Sequence, residues 1–435
     1  VGLASLSASV SLPCTIFTTR GAGHVLVGNN EDDAPGRITY LWFKPNPSIG
    51  YVLWGHREET PEGGMNDQGL FFDAAALPTA VPVAKRAGRQ DFNGYAVEPV
   101  LSQCRSVAEA LSFLGRLNLL WQDKAQIFLA DKTGDCAIVH ANWVVRKGLQ
   151  PNFVLTNHRL DVGHPEHCWR RSLAMQMLES NRLHDLTLVK QILCDTAQRD
   201  LSNQTLYSDA VDLTAGTFTI YNDRRYDQPV TLNLETELRK GYRVIEQSSL
   251  FMPSLSEYVA LYGVGPALKR WELKTHPSPD EYSQAGYALL RSGRLEDALL
   301  VFRASIGRVA TAKGLSDLAN ALQLLNRTQE SRILYRAALA RDASDYSANL
   351  MAGKRGLVTF RLREFETAES VEVVGSFSKQ PLKLRRKSGE WFGQLALAKG
   401  TYTYALHVDD SWTTDPNNGL ARKTGKWWGS LLVLR

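Results

Sequence analysis

The chain has 435 residues, 44% of them hydrophobic and 22% charged, enough for two or three domains with substantial cores. No apolar run approaches the ~18 residues needed to span a membrane. The formal net charge of +5 is small and scattered, which does not suggest a nucleic-acid partner.

Val1 to Pro13 is apolar and rich in small residues, and it is expected to be the remnant of an export signal or a short propeptide. Cys14 to Arg20 then reads as a strand, Gly21-Ala22-Gly23 as a turn, and His24 to Gly28 as a second strand. This hairpin returns Asn29-Asn30-Glu31-Asp32 towards the cysteine. If residues 1–13 are removed, Cys14 carries both a thiol and an α-amine, whose unperturbed pKa values of about 8.5 and about 7.7–8.0 suit proton transfer at neutral pH. Two other readings of Cys14 stand beside this one: a buried core thiol, and a lipid-modified cysteine. Pro13 argues against the lipid, because that processing favours a small Gly, Ala or Ser there.

Further along, Val100 to Leu117 and Arg171 to Asp195 have helical periodicity, while 125–130, 136–140 and 217–221 read as strands. Five cysteines, at 14, 104, 136, 168 and 194, show no metal-ligand spacing, and His24 and His56 carry no partner pattern. No metal or other cofactor is expected.

The order of several short blocks resembles the linear amide C–N hydrolases, the superfamily of choloylglycine hydrolases, penicillin V acylases and acyl-coenzyme A:6-aminopenicillanic acid acyltransferases. The blocks are Cys14-Thr15; Gly28-Asn29-Asn30-Glu31-Asp32; Met65-Asn66-Asp67-Gln68-Gly69-Leu70; Phe128 to Val139; Val154-Leu155-Thr156-Asn157-His158; Thr205-Leu206-Tyr207-Ser208; and Glu237-Leu238-Arg239-Lys240-Gly241. The resemblance covers residues 14–253 and implies an α+β class with a four-layer αββα N-terminal-nucleophile hydrolase domain. It implies Cys14 as nucleophile after autoprocessing, and Asp32 as the carboxylate that orients the α-ammonium. Asn157 would be the oxyanion donor, with a backbone donor near Ala75–Ala76. Arg170, with Arg171 as an alternative, would pair with Asp32 or a substrate carboxylate. Asn29 and Ala76 are the expected substrate-binding positions. The bile-salt branch has arginine where Asn29 stands and asparagine where Ala76 stands, so bile salts are disfavoured; His158 is closer to the acyltransferase branch.

After a connector at 254–279, Gly286, Leu289, Gly293, Ala298 and Phe302 recur thirty-three residues later as Ala319, Leu322, Asn326, Ser331 and Tyr335. The stretch 280–350 resembles a pair of tetratricopeptide repeats, expected to dock within the chain or to take a protein partner. Residues 355–435 switch to short strands and resemble the immunoglobulin-like glycogen-binding module of the AMP-activated kinase β subunit. Only Trp412 of that family's ligand-gripping residues is kept, so weak or no glycan binding is expected. The functional expectation is an exported cysteine amidase acting on a small-molecule linear amide through an acyl-thioester. An N-acyltransferase and a catalytically inactive interaction or glycan-binding protein are the alternatives.

Overall fold

The computed structural model describes residues 14–57, 60–162, 168–272, 278–351, 356–425 and 427–435. The expected leader, 1–13, lies outside them. The chain forms two compact units, Val1–Phe251 and Met252–Arg435. Among the described residues, no helix is long and apolar enough to cross a membrane.

The first unit is built on two antiparallel sheets. The first sheet has the order Phe153–Leu155, Thr15–Gly21, His24–Asp33, Gln204–Asp212, Thr217–Asn222 and Val230–Asn233. The second, eight-stranded, runs Trp143–Arg146, Cys136–His140, Ala125–Asp131, Leu70–Ala76, Thr60–Asn66, Tyr51–Arg57, Tyr40–Lys44 and Arg243–Glu246. Because side chains alternate along a strand, each sheet buries both of its faces with different residues. Ile16, Val25 and Val27 of the first sheet share a core with Phe43, Trp54, Phe71 and Phe128 of the second. On the other face of the first sheet, Phe17 and Leu26 pack with Val189, Ile192 and Leu193 of the helix Leu186–Thr196. Trp42, Leu53 and Phe72, on the other face of the second sheet, pack with Val100, Leu101 and Val107 of two short helices.

The hairpin that carries the cysteine turns at Ala22 (φ 50°) and Gly23 (φ 84°), between the paired Gly21 and His24. Positive φ at both central residues is the geometry that suits a two-residue hairpin. The return strand is ten residues long, so Asn29–Asp32 lie within it rather than in a loop after it.

Each expected long helix is divided in two. Val97–Gln103 stops before Ser106, whose hydroxyl caps Val107–Leu114 by accepting from the Glu109 N–H. Trp169–Ser180 ends at Asn181, and Asp185 caps Leu186–Thr196 by accepting from the Leu188 N–H. In both cases a short polar side chain satisfies an otherwise unpaired helix-end donor, and this local bond overrides the continuing periodicity.

In the second unit, the expected connector contains helices Leu255–Tyr262 and Val264–Glu272, the first opened by a Ser254–Glu257 capping box. Two helix pairs follow, Pro279–Arg291 with Leu295–Arg308, and Ala312–Leu324 with Thr328–Arg341. The turns of the two pairs hold Gly293 (φ 78°) and Asn326 (φ 59°), the two residue types that adopt this left-handed conformation most readily. Gly286 lies where a Cβ would sit 2.3 Å from the Phe302 ring, so the first pair can cross closely only without a side chain there.

Beyond the helices are two strand sets. One contains Leu357–Leu362 and Glu390–Ala396; the other contains Val371–Gly375, Gly400–Val408 and Trp427–Leu434. Phe360 of the first meets Tyr404 of the second edge-on at 5.3 Å. The strands are bonded to the helices: Gln323 Nε2 donates to the Val433 carbonyl (3.0 Å), and Tyr346 and Tyr404 both donate to Asp415 Oδ2 (2.5 Å each).

Candidate active site

Cys14 lies directly before the strand Thr15–Gly21, buried, with its neighbour Thr15 opposite Asn30. Its Sγ donates to Glu31 Oε1 at 3.5 Å. Burial pushes the thiol well above its usual range, and the Glu31 and Asp32 carboxylates push it further. With no helper, this sulfur is a protonated thiol at neutral pH, and a nucleophilic role requires a base beside it.

Arg170, in the first turn of the helix Trp169–Ser180, draws three expected residues and Thr15 together. Its Nη1 donates to the Cys14 carbonyl (2.7 Å) and to Thr15 Oγ1 (2.9 Å), and its Nη2 donates to Asn157 Oδ1 (3.0 Å). Asp32 Oδ2 is 3.9 Å from Nη1. The planar guanidinium suits this fan of acceptors. These bonds also fix the Asn157 amide: guanidinium only donates, so Oδ1 must face it, and Nδ2 then donates to the Ala76 carbonyl (2.9 Å). Cys14, Asp32, Asn157, Arg170 and Ala76 thus form one connected group; Arg170, not Arg171, makes these bonds.

Asp32 accepts from Thr205 Oγ1 through Oδ1, while its buried Oδ2 has no hydrogen-bond donor among the described residues. Burial pushes this carboxyl up to about 7, against the pull of Arg170 and the Thr205 hydroxyl. Asn29 is turned elsewhere: its Nδ2 donates to Asp73 Oδ2 (2.9 Å), which also accepts from Trp54 Nε1 (3.0 Å). Gly63 is obligatory beside this trio, since a Cβ there would lie 2.2 Å from Trp54 Nε1 and 2.3 Å from Asp73 Oδ2.

A cavity of about 140 Å³ opens at the cysteine. Cys14, Glu31 and Glu62 form its polar end; Phe72, Tyr95, Val97 and Trp121, with four alanines and Pro61, form the apolar remainder. Tyr95 and Trp121 pack as one aromatic wall, with ring centroids 5.3 Å apart. Of the expected site residues, Cys14 and Ala76 are on the cavity wall, whereas Asn29, Asp32, Asn157 and Arg170 are not.

Three features were not anticipated. Glu31, Glu62 and His56 gather around the polar end, and their ligand-capable atoms lie within 4.8 Å of one another. Asp73 is a buried carboxyl pushed up to about 7 by burial, against the Trp54 and Ala74 hydrogen bonds. Cys168, which directly precedes the Arg170 helix, is a low-pKa thiol. Burial raises it, but Arg170, His158 and Thr156 outweigh burial and bring it down to about 6. In sequence, only its place two residues before Arg170 hinted at this. All five cysteines are free thiols. His24 bonds Asp212 at 2.7 Å.

No protein-family model matches this chain. No curated protein matches it either. Solved structures similar to it include two variants of conjugated bile acid hydrolase from Clostridium perfringens. Each is 16% identical with a TM-score of 0.42, over 53% of this chain and 96% and 95% of theirs. Penicillin V acylase from Agrobacterium tumefaciens is also similar, 16% identical with a TM-score of 0.40, over 48% of this chain and 83% of its own.

Proposed function

We propose that the first unit is a cysteine amidohydrolase of the linear amide class, with Cys14 as an N-terminal nucleophile. The observation that carries this reading is Asp32 Oδ2, a buried carboxyl oxygen without a hydrogen-bond donor among the described residues, near a buried cysteine whose thiol needs a base. An α-ammonium on Cys14 supplies both: a cationic donor for Asp32, and, once deprotonated, a base for the thiol. The series of sequence blocks described above supports the same assignment.

In this mechanism the Cys14 α-amine takes the thiol proton and the sulfur adds to the amide carbon. The carbonyl oxygen gains negative charge, and Asn157 Nδ2, which also meets the carbonyl of Ala76 on the cavity wall, is its donor, with Arg170 holding Oδ1. The C–N bond breaks, the leaving amine takes the proton from the α-ammonium, and a thioester remains. Water then adds with the α-amine as base, the C–S bond breaks, and the thiol is regenerated with a carboxylic acid. The small, apolar and aromatic-walled cavity favours a compact apolar acyl group on Cys14.

The mechanism needs Cys14 to be the first residue, because an amide nitrogen in a Pro13–Cys14 bond is no base. Intact mass and N-terminal sequencing of the active protein, with turnover of acyl-amide substrates, test this. The expected result is activity that starts with release of residues 1–13 and is abolished in Cys14→Ala. Equal turnover by protein retaining Val1–Pro13 overturns the single-residue mechanism.

A further inference from the structure

The geometry points to a divalent-cation site formed by Glu31, His56 and Glu62 at the polar end of the cavity. These residues come from both sheets: Glu31 from His24–Asp33, His56 from Tyr51–Arg57 and Glu62 from Thr60–Asn66.

The backbone delivers two of them by irregularity. Pairing between the last two strands steps from Trp54–Gly63 to Gly55–Pro61, skipping Glu62, and then to Arg57–Thr60, skipping His56. Each skipped residue is the extra one of a bulge, the device that re-aims a side chain out of a regular sheet. Both re-aimed side chains turn to the same point.

What they present there is unsatisfied. Glu31 Oε2, His56 Nε2 and Glu62 Oε2 are buried, and among the described residues none has a hydrogen-bond partner. Native proteins rarely leave such groups unpaired, and three at one point suggest a shared occupant. His56 Nε2 is 3.3 Å from Glu62 Oε2 and 3.0 Å from Asp33 Oδ2, which in turn is 3.0 Å from Arg37 Nε. These contacts lack hydrogen-bond alignment, so proximity alone does not satisfy the atoms.

One imidazole nitrogen with two or three carboxylate oxygens is a donor set for Zn²⁺ or Mn²⁺ rather than for a soft ion, and Ca²⁺ and Mg²⁺ prefer all-oxygen shells. Because Glu31 Oε1 also receives the Cys14 thiol, the ion would sit one side chain away from the nucleophile.

The test is a binding measurement independent of amide turnover, so its failure leaves the amidase assignment untouched. Chelator-treated full-length protein is titrated calorimetrically with ZnCl2, MnCl2 and, for comparison, MgCl2. The expected result is one Zn²⁺ or Mn²⁺ per chain with no comparable Mg²⁺ binding. Affinity should weaken about 100-fold or more in Glu62→Gln and in His56→Gln, and remain in Cys14→Ser. Circular dichroism identifies a variant that fails to fold. In that event the visible spectrum of Co²⁺ bound to the unmutated protein, lost when Zn²⁺ is added, reports the imidazole–carboxylate environment instead. No stoichiometric ion, unchanged affinity in folded Glu62→Gln and His56→Gln, or loss of binding in Cys14→Ser overturns the site.

Discussion

Arg170→Met removes the group that ties Cys14, Thr15, Asn157 and Asp32 together, and its cost follows from what is left behind. Arg170 is buried, and methionine roughly fills its volume while donating nothing. The Cys14 carbonyl, Thr15 Oγ1 and Asn157 Oδ1 each lose a charged donor. A buried polar group left unsatisfied costs about 1–3 kcal/mol. Removing one partner of a buried ion pair, here the 3.9 Å approach to Asp32, costs about 3–5 kcal/mol. These terms share one side chain, so they do not add; Asp32 escapes part of its penalty by taking a proton. A net loss of about 5 kcal/mol is expected, read as a lower urea midpoint of the first unit. Arg170→Lys, a point charge without the fork, should fall between. The same variant carries an independent signature: Arg170 is the strongest influence lowering Cys168, so the Cys168 thiol should titrate well above 6. A loss below about 1 kcal/mol, with Cys168 unmoved, would refute the hub described here.

Three further outcomes are expected. Thiolate absorbance followed between pH 5 and 8 should show one step near pH 6, absent in Cys168→Ser, because the other four thiols are all shifted upwards. A depressed acid stabilises the fold above its unfolded pKa, and that contribution declines from about pH 9 to about pH 6; no step below pH 8 would contradict the assignment. Gly63→Ala should lower the thermal midpoint by about 1–3 kcal/mol equivalent or more, with partial recovery in Gly63→Ala/Trp54→Phe; an unchanged midpoint would disprove the close approach. Calorimetric titration of the full chain with maltoheptaose should show no micromolar binding. Trp412 stands 39% exposed with the His407 ring tilted against it at 4.6 Å, and micromolar affinity lost in Trp412→Ala would reverse this reading.

The strand-initial Cys14 and its return hairpin were legible in the sequence, since alternation and the Gly-Ala-Gly turn are local signals. Asn157 and Arg170 are singled out by motif position alone, and the structure joins them by a direct hydrogen bond. His56 and Glu62 were not legible. Their convergence depends on two register slips in one hairpin and on the approach of a second sheet, which no spacing rule encodes. The helix breaks at Ser106 and Asp185 were legible in principle, as cap residues inside periodic runs.

The bonds between helices and strands in the second unit bear on how the chain can be cut. A fragment starting at 356 would keep Asp415 but lose one of the two phenols that donate to it, and would leave the Val433 carbonyl without Gln323. It would also open Gly419, where the Tyr287 ring now lies so close that a Cβ would be 2.3 Å from it. The C-terminal strands are therefore no portable cassette: transplanting them into another protein means carrying the helices from Pro279 onward as their missing wall.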